Sequence, residues 1–278
     1  MTEKSATRPV FFVSDRTGIT AENLGHALLT QFSAMKFEHH SLPFINSEEK
    51  ARLAAGSINQ SAQNSAYRPL VFSTLIDDGY RAIIAGTDAH IIDFFDAFIK
   101  PLEAELNIQS SHAAGLSHGI SNEHVYMCRM DAVNFSLRTD DGVSTREYKD
   151  ADVILVGVSR SGKTPTCLYL AMQFGLRAAN YPLTESDMAN ALLPKALAPY
   201  RHKLFGLLIN AERLHTIREM RKHNSGYASM AQCQRETRMI RSVFDLEKVP
   251  YIDSSHISVE EIATSIIQLM KIHRPPIY

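Results

Sequence analysis

Ala151-Asp-Val-Ile-Leu-Val-Gly157-Val-Ser-Arg-Ser-Gly162-Lys163-Thr164-Pro-Thr166, continuing through Cys167 to Phe174, is the stretch from which the chain is best read. Val153 to Val156 is a short apolar run of the kind that forms a buried strand. Leu168, Leu170, Ala171 and Phe174 then recur with helical spacing. Between them lies Gly157-Val158-Ser159-Arg160-Ser161-Gly162-Lys163-Thr164, a match to G-x-x-x-x-G-K-[ST] in the strand–loop–helix context that pattern requires. Gly157 and Gly162 allow backbone torsions and close approaches that a Cβ would block. Successive N–H groups can therefore converge on phosphate oxygens at a helix N-terminus, where the helix dipole also favours negative charge. Lys163 can reach the outer phosphates as a point charge, and the Thr164 hydroxyl is placed to bind Mg²⁺ or a phosphate oxygen. Pro165 falls early in the helix, where its missing N–H matters little.

The rest of the chain alternates strand-like and helix-like segments. This predicts an α/β protein: a C-terminal phosphate-loop-type parallel sheet flanked by helices (residues 150–278), preceded by an N-terminal α/β domain (residues 1–149). With 278 residues, 45% of them hydrophobic, there is ample material for a core, and a formal charge of −1 offers no global field for nucleic acid or anionic lipid. Cys128, Cys167 and Cys233 are odd in number and lack any C-x-x-C, so they read as thiols and not as a disulfide or zinc framework. Residues 1–8 are polar and no run approaches a membrane span, which points to the cytoplasm.

In the first half, Val10 to Val13 reads as a buried strand leading into Ser14-Asp15-Arg-Thr17-Gly-Ile-Thr20-Ala-Glu22. The helix that follows is expected to turn Leu24, Ala27, Leu28 and Phe32 to one face. A polar loop at the carboxyl end of a strand is where α/β sheets place ligands, so Ser14, Asp15, Thr17 and Thr20 are candidates; Thr20 as a helix cap is the structural alternative. Phe37–Phe44 reads as a strand with His39 and His40 on opposite faces, unable to share one metal, and Asn46-Ser-Glu-Glu49 resembles a capping box. Leu70–Leu75 and Arg81–Ala85 are strand-like. From Asp88 a helix is expected, with Ile91, Phe94, Phe95, Phe98, Leu102 and Leu106 as core or as a subunit interface. His112, His118 and His124 in the polar stretch that follows match no metal-ligand spacing. Tyr126–Leu137 reads as a helix. Asp140-Asp141-Gly142 is turn chemistry, although either carboxylate is a possible base or metal ligand.

Further along, Arg177–Leu183 reads as a strand and loop and Lys203–Ile209 as a buried strand. That strand ends at Asn210 where a phosphate-loop enzyme often has a magnesium-supporting Asp, leaving Asp152 and Asp253 as other possibilities. Arg213, Arg218, Arg221, Lys222, Arg235, Arg238 and Arg241 are either phosphate-binding forks or a solvated charged face. Val249–Asp253 reads as a closing strand, and Ser258-Val-Glu-Glu261 as a capping box opening a helix with Ile262, Ile266, Leu269 and Met270 inward.

Five stretches together carry a resemblance: Ser14–Glu22, Asp140–Gly142, Ala151–Pro165, Asn180-Tyr-Pro-Leu183 and Ile257–Ala263. On these the sequence resembles the regulatory proteins of phosphoenolpyruvate synthase and of pyruvate, phosphate dikinase over nearly its whole length, and Arg160–Thr166 is similar to the synthase branch. The resemblance implies a bifunctional enzyme acting on phosphoenolpyruvate synthase. One activity is an ADP-dependent kinase that inactivates the synthase on a threonine near its catalytic histidine. The other uses inorganic phosphate to remove that group, releasing pyrophosphate. It also implies a homodimer and, with Mg²⁺, a site made of Gly157 to Thr164. Lys163 is then catalytic, Thr164 the metal ligand and Asp15 the first candidate for the acid/base group. Asp152 is second, but it stands at the start of the strand, a strand's length from Gly157. An ATP- or GTP-dependent kinase of a small molecule and a non-catalytic nucleotide sensor are the competing readings.

Overall fold

The computed structural model describes residues 7–111, 123–188, 192–223 and 225–273. Its chain divides into two units, Met1–Gly119 and Ile120–Tyr278, each with its own four-stranded, wholly parallel sheet. The α/β class expected from the strand–helix alternation is what the structure shows. The division falls ahead of the expected 149/150 boundary, because the helix Glu123–Arg138 packs on the helix and strand of the second sheet.

In the first unit the elements run β1 (Arg8–Val13), α1 (Ile19–Leu29), β2 (Phe37–Leu42), α2 (Glu48–Asn64), β3 (Leu70–Ser73), α3 (Asp78–Ala85), β4 (His90–Asp93) and α4 (Phe94–Leu106), with strand order β2-β1-β3-β4. Strand β1 is apolar at every position from Val10 to Val13 because both its faces are covered, as parallel strands require. Phe11 and Val13 meet Ile58, Leu75 and Ile84 on one side, while Val10 and Phe12 meet Ala21, Leu29 and Phe72 on the other. His40 stacks on Phe11 and His39 meets Phe12 edge-on, so the two imidazoles do lie on opposite faces.

Several local expectations are corrected here. Helix α1 buries Ala21, Gly25 and Leu29, leaving Leu24, Leu28 and Phe32 exposed. A Cβ on Gly25 would lie 2.6 Å from the Phe12 ring and 2.9 Å from that of Phe72, so the two rings demand the small-residue face. Thr20 is not a cap. It lies inside α1, whose N-cap position is Gly18 in the left-handed conformation, with no side-chain cap bond. Ser47 caps α2 by accepting from Lys50 N–H at 3.3 Å, with Lys50 where the box would need Glu. Arg81–Ala85 is helical because Asp77 accepts from Tyr80 N–H at 3.0 Å and opens α3. Ile91 belongs to edge strand β4, and α4 starts only at Phe94, capped by Asp93. Of the expected stripe Phe94 is buried, whereas Phe98, Leu102 and Leu106 are exposed. His112 and His118, and the side chain of His124, lie outside the described residues.

The second unit runs α5 (Glu123–Arg138), β5 (Val153–Gly157), α6 (Lys163–Phe174), β6 (Ala178–Pro182), α7 (Glu185–Met188), β7 (Leu204–Leu208), α8 (Ala211–Arg221), α9 (Met230–Glu247), β8 (Tyr251–Asp253) and α10 (Val259–Leu269), with strand order β6-β5-β7-β8. Every residue of β5 and β7 is buried. Val153, Leu155, Phe205 and Leu207 face Leu170, Ile262 and Ile266 on one side, and Ile154, Val156, Leu204 and Leu208 face Ile240, Val243 and Phe244 on the other. The box at Ser258 is complete: its hydroxyl accepts from Glu261 N–H at 3.2 Å and its own N–H donates to the Glu261 carboxylate at 2.8 Å. Leu269, expected inward, is exposed in the last turn of α10. No described helix is long and apolar enough to cross a membrane.

Candidate active site

Strand β5 is central, and at its carboxyl end the chain makes the loop from Gly157 to Gly162 before α6 begins at Lys163. A Cβ on Gly157 would lie 2.5 Å from Ser161 Oγ and 2.8 Å from the Leu207 carbonyl, and Gly162 has φ +92°, so both glycines are required. Arg160 also holds a left-handed φ of +78°, which costs a residue with a side chain roughly 1–2 kcal/mol.

The loop's carbonyls are tied back. Val158 O accepts from Lys163 Nζ at 2.9 Å, Ser159 O from Arg218 Nη2 at 3.1 Å, Ser161 O from the Ser254 hydroxyl at 3.0 Å and Gly162 O from the Thr166 hydroxyl at 2.9 Å. Among the described residues, no acceptor is found for the backbone N–H groups of Arg160, Gly162, Lys163 and Thr164. A run of free N–H donors at the start of a helix is a preformed anion cradle.

Lys163 is only 4% exposed. Burial pulls its ammonium from the ordinary 10.5 down to about 8, against the opposing pull of Asp141 and Asp140. A phosphate beside Nζ favours the charged form, so ligand binding should take up a proton above about pH 8. Calorimetric titration with ADP in buffers of different ionisation enthalpy is expected to report that uptake at about pH 8.5, and to lose it in Lys163→Met. For the empty protein the folded pKa lies below the unfolded one. The unfolded chain then binds more protons between about 8 and 10.5, and stability rises with pH through that window.

The Thr164 hydroxyl donates to Asp140 Oδ1 at 2.8 Å, and Asn180 Nδ2 donates to the same oxygen. Asn180 is fully buried in β6, and its Oδ1 accepts from Asp141 N–H at 3.2 Å, so one side chain fixes both carboxylate-bearing residues against the loop. Tyr148, whose phenol is driven upward by burial, donates to the Asn180 carbonyl at 2.8 Å and braces the same strand. The turn reading of Asp140–Gly142 holds, since these residues form a 3₁₀ turn after α5. That turn also delivers a carboxylate to Thr164.

The other candidates separate cleanly. Asn210 caps α8 by accepting from Arg213 N–H at 2.7 Å. Asp152 accepts from Arg177 N–H at 2.7 Å at the amino end of β5, and Asp253 is engaged with Ser255 at the end of edge strand β8. Of the carboxylates weighed for the supporting position, Asp140 is the one the structure joins to Thr164. No group of three or more His, Cys, Asp or Glu that could hold a metal occurs among the described residues. Thr164 and Asp140 do bring two hard oxygen donors together, the donor type that Mg²⁺ prefers. Asp15 lies in the first unit between β1 and α1. Burial raises its pKa, while a hydrogen bond to its own backbone and nearby Arg16 lower it. Ser14 is buried and accepts from Arg16 N–H at 3.2 Å, while Thr17 and Thr20 are exposed. Among the arginines, Arg218 is buried against the loop, Arg235 pairs with Glu185 at 3.5 Å, and Arg213, Arg221, Arg238 and Arg241 are exposed.

The match to known proteins covers both units. The kinase/pyrophosphorylase family profile matches residues 10–267. The chain belongs to the kinase/pyrophosphorylase family. It is 52% identical over 274 residues to a protein of Alkalilimnicola ehrlichii, covering 99% of each chain. It is 50% identical over 267 residues to one of Alcanivorax borkumensis, covering 96% of this chain and 98% of the relative. A Pseudomonas aeruginosa protein is 52% identical over 260 residues, with 94% and 95% covered. All three carry the provisional name phosphoenolpyruvate synthase regulatory protein, so the family resemblance read from the five sequence stretches is borne out.

Proposed function

We propose that the protein is the bifunctional regulator of phosphoenolpyruvate synthase. In one direction it transfers the β-phosphoryl group of ADP to a threonine hydroxyl of the synthase. The bond between the β-phosphorus and its bridging oxygen breaks, the threonine oxygen takes its place, AMP leaves and the hydroxyl proton passes to a base. In the other direction inorganic phosphate attacks the phosphothreonine, giving threonine and pyrophosphate. The observation that carries this reading is the Gly157–Thr164 loop, with free N–H donors, a buried ammonium and a hydroxyl already seated on Asp140. Both reactions move one phosphoryl group between two oxygens, so a single cradle serves both. The names and family of the relatives support the partner and the reaction class.

In this reading the N–H groups of Arg160, Gly162, Lys163 and Thr164 hold the donor phosphates, and Lys163 neutralises charge on the leaving side. Thr164, supported by Asp140, would hold Mg²⁺, which supplies further neutralisation of the phosphate oxygens. Incubating the purified chain with phosphoenolpyruvate synthase, Mg²⁺ and either ADP or ATP tests the proposal. The expected result is one new phosphothreonine by mass spectrometry, with AMP as co-product, from ADP alone. Transfer from ATP would instead support a conventional kinase, and absence of both AMP and pyrophosphate formation a nucleotide sensor. A homodimer through the exposed Phe98, Leu102 and Leu106 of α4 completes the proposal; a monomeric mass in light scattering would remove it.

A further inference from the structure

Arg218 is the largest fully buried side chain among the described residues, and nothing in a charged helix read as a solvated face accounts for it. Its Nη2 donates to Glu236 Oε2 at 2.7 Å and to the Ser159 carbonyl at 3.1 Å, and its Nη1 to the Tyr227 carbonyl at 3.1 Å and Glu236 Oε1 at 3.2 Å. The guanidinium carbon sits 4.0 Å from the centre of the Tyr227 ring, and the Tyr227 hydroxyl donates to Ser159 Oγ at 2.9 Å. Glu236 is held in turn by Gln232 Nε2 at 2.9 Å. Burying such an ion pair rarely adds net stability over apolar packing, and here the Arg218 Nε is buried without a partner as well. The arrangement therefore calls for a role other than stability.

That role follows from peptide geometry. In a planar trans peptide the C=O and the next N–H point in opposite directions. Turning the Ser159 carbonyl onto Arg218 aims the Arg160 N–H the opposite way, and this is one of the donors without an acceptor in the cradle. Ser159 is gripped at both its carbonyl and its hydroxyl, immediately before Arg160 enters its left-handed conformation. We propose that Arg218 and Tyr227 are positioning residues that clamp Ser159 and so set the Gly157–Thr164 loop in its phosphate-receiving form, through hydrogen bonds to the loop backbone and the Ser159 hydroxyl.

The inference rests on the reading of the loop as a nucleotide site, and the test separates the two. Calorimetric titration of ADP with Mg²⁺ is performed on the full chain and on Tyr227→Phe, Ser159→Ala, their double variant and Arg218→Lys. Tyr227→Phe keeps the ring over the guanidinium and removes only the hydroxyl. The expected result is affinity lowered about fivefold in each single hydroxyl variant, in line with a lost hydrogen bond. The double variant should be no weaker than the weaker single one, because the two hydroxyls share one bond. Melting temperatures of the hydroxyl variants should fall by no more than the few degrees that one lost hydrogen bond accounts for. Arg218→Lys, which keeps charge but loses the fork, should weaken ADP at least as much. Unchanged affinity in Tyr227→Phe, or losses that multiply in the double variant, would overturn the clamp. Failure of the unmodified chain to bind ADP would overturn the nucleotide reading instead.

Discussion

Lys163→Ala is expected to abolish phosphoryl transfer in both directions while leaving the protein folded. The ammonium is buried, hydrogen-bonded to the Val158 carbonyl inside the loop, and adjacent to the free N–H donors. A charge preorganised in such a water-poor pocket stabilises the transition state by on the order of 3 kcal/mol or more, so kcat should fall by at least about 10². Stability should move the other way. Depression of the lysine pKa to about 8 means that burial of the charged form costs on the order of 3 kcal/mol at neutral pH. Lys163→Met, which keeps the apolar stem, should therefore melt at or above the wild-type temperature while remaining inactive. Single-turnover assays of phosphothreonine formation and of pyrophosphate release, run beside thermal melts, read both effects. Near-wild-type rates in either variant would remove Lys163 from the reaction.

What the sequence made legible depends on how local each feature is. The Gly157–Thr164 loop is contiguous, and its glycines, lysine and threonine answer requirements of one turn of backbone, so pattern and structure agree. Strands β1, β5 and β7 were equally plain, because burial on both faces makes them continuous apolar runs. The inward face of α1 was not, since it is chosen by the Phe12 and Phe72 rings, which belong to other elements and leave no room for a side chain at Gly25. Asp140 and Arg218 were legible only as members of open alternatives, because their partners lie far along the chain. Asp140 meets Thr164 across 24 residues, Arg218 meets Ser159 across 59, and neither contact leaves a spacing rule to find. The available signal was indirect, with Asp140–Gly142 and Asn180–Leu183 both lying in stretches that carried the family resemblance, and these two stretches meet around the Asp140 carboxylate.

In the proposed reaction a base takes the threonine proton; Asp140 and Asp15 are each candidates for it, and separate substitutions test them. Asp140 is fixed on the loop by Thr164 and Asn180, so Asp140→Asn removes a charge from beside the cradle itself. Transfer should fall by about 10² or more, and the Mg²⁺ concentration giving half-maximal rate should rise, because a magnesium-supporting oxygen is lost together with any base function. Asp15 stands in the first unit, in a polar strand-to-helix loop, with its pKa raised chiefly by burial. Asp15→Asn keeps its size. If Asp15 is the base, ADP affinity and Mg²⁺ dependence stay at wild-type values while phosphothreonine formation drops by about 10² or more. Unchanged turnover in Asp15→Asn would return that residue to ordering its loop and leave Asp140 to receive the proton as well as to support the metal. Loss of ADP binding in Asp15→Asn would instead place the side chain in nucleotide recognition. Unchanged turnover and unchanged Mg²⁺ dependence in Asp140→Asn would reduce that residue to a brace for Thr164, the one outcome in which the carboxylate bonded to Thr164 takes no part in the chemistry.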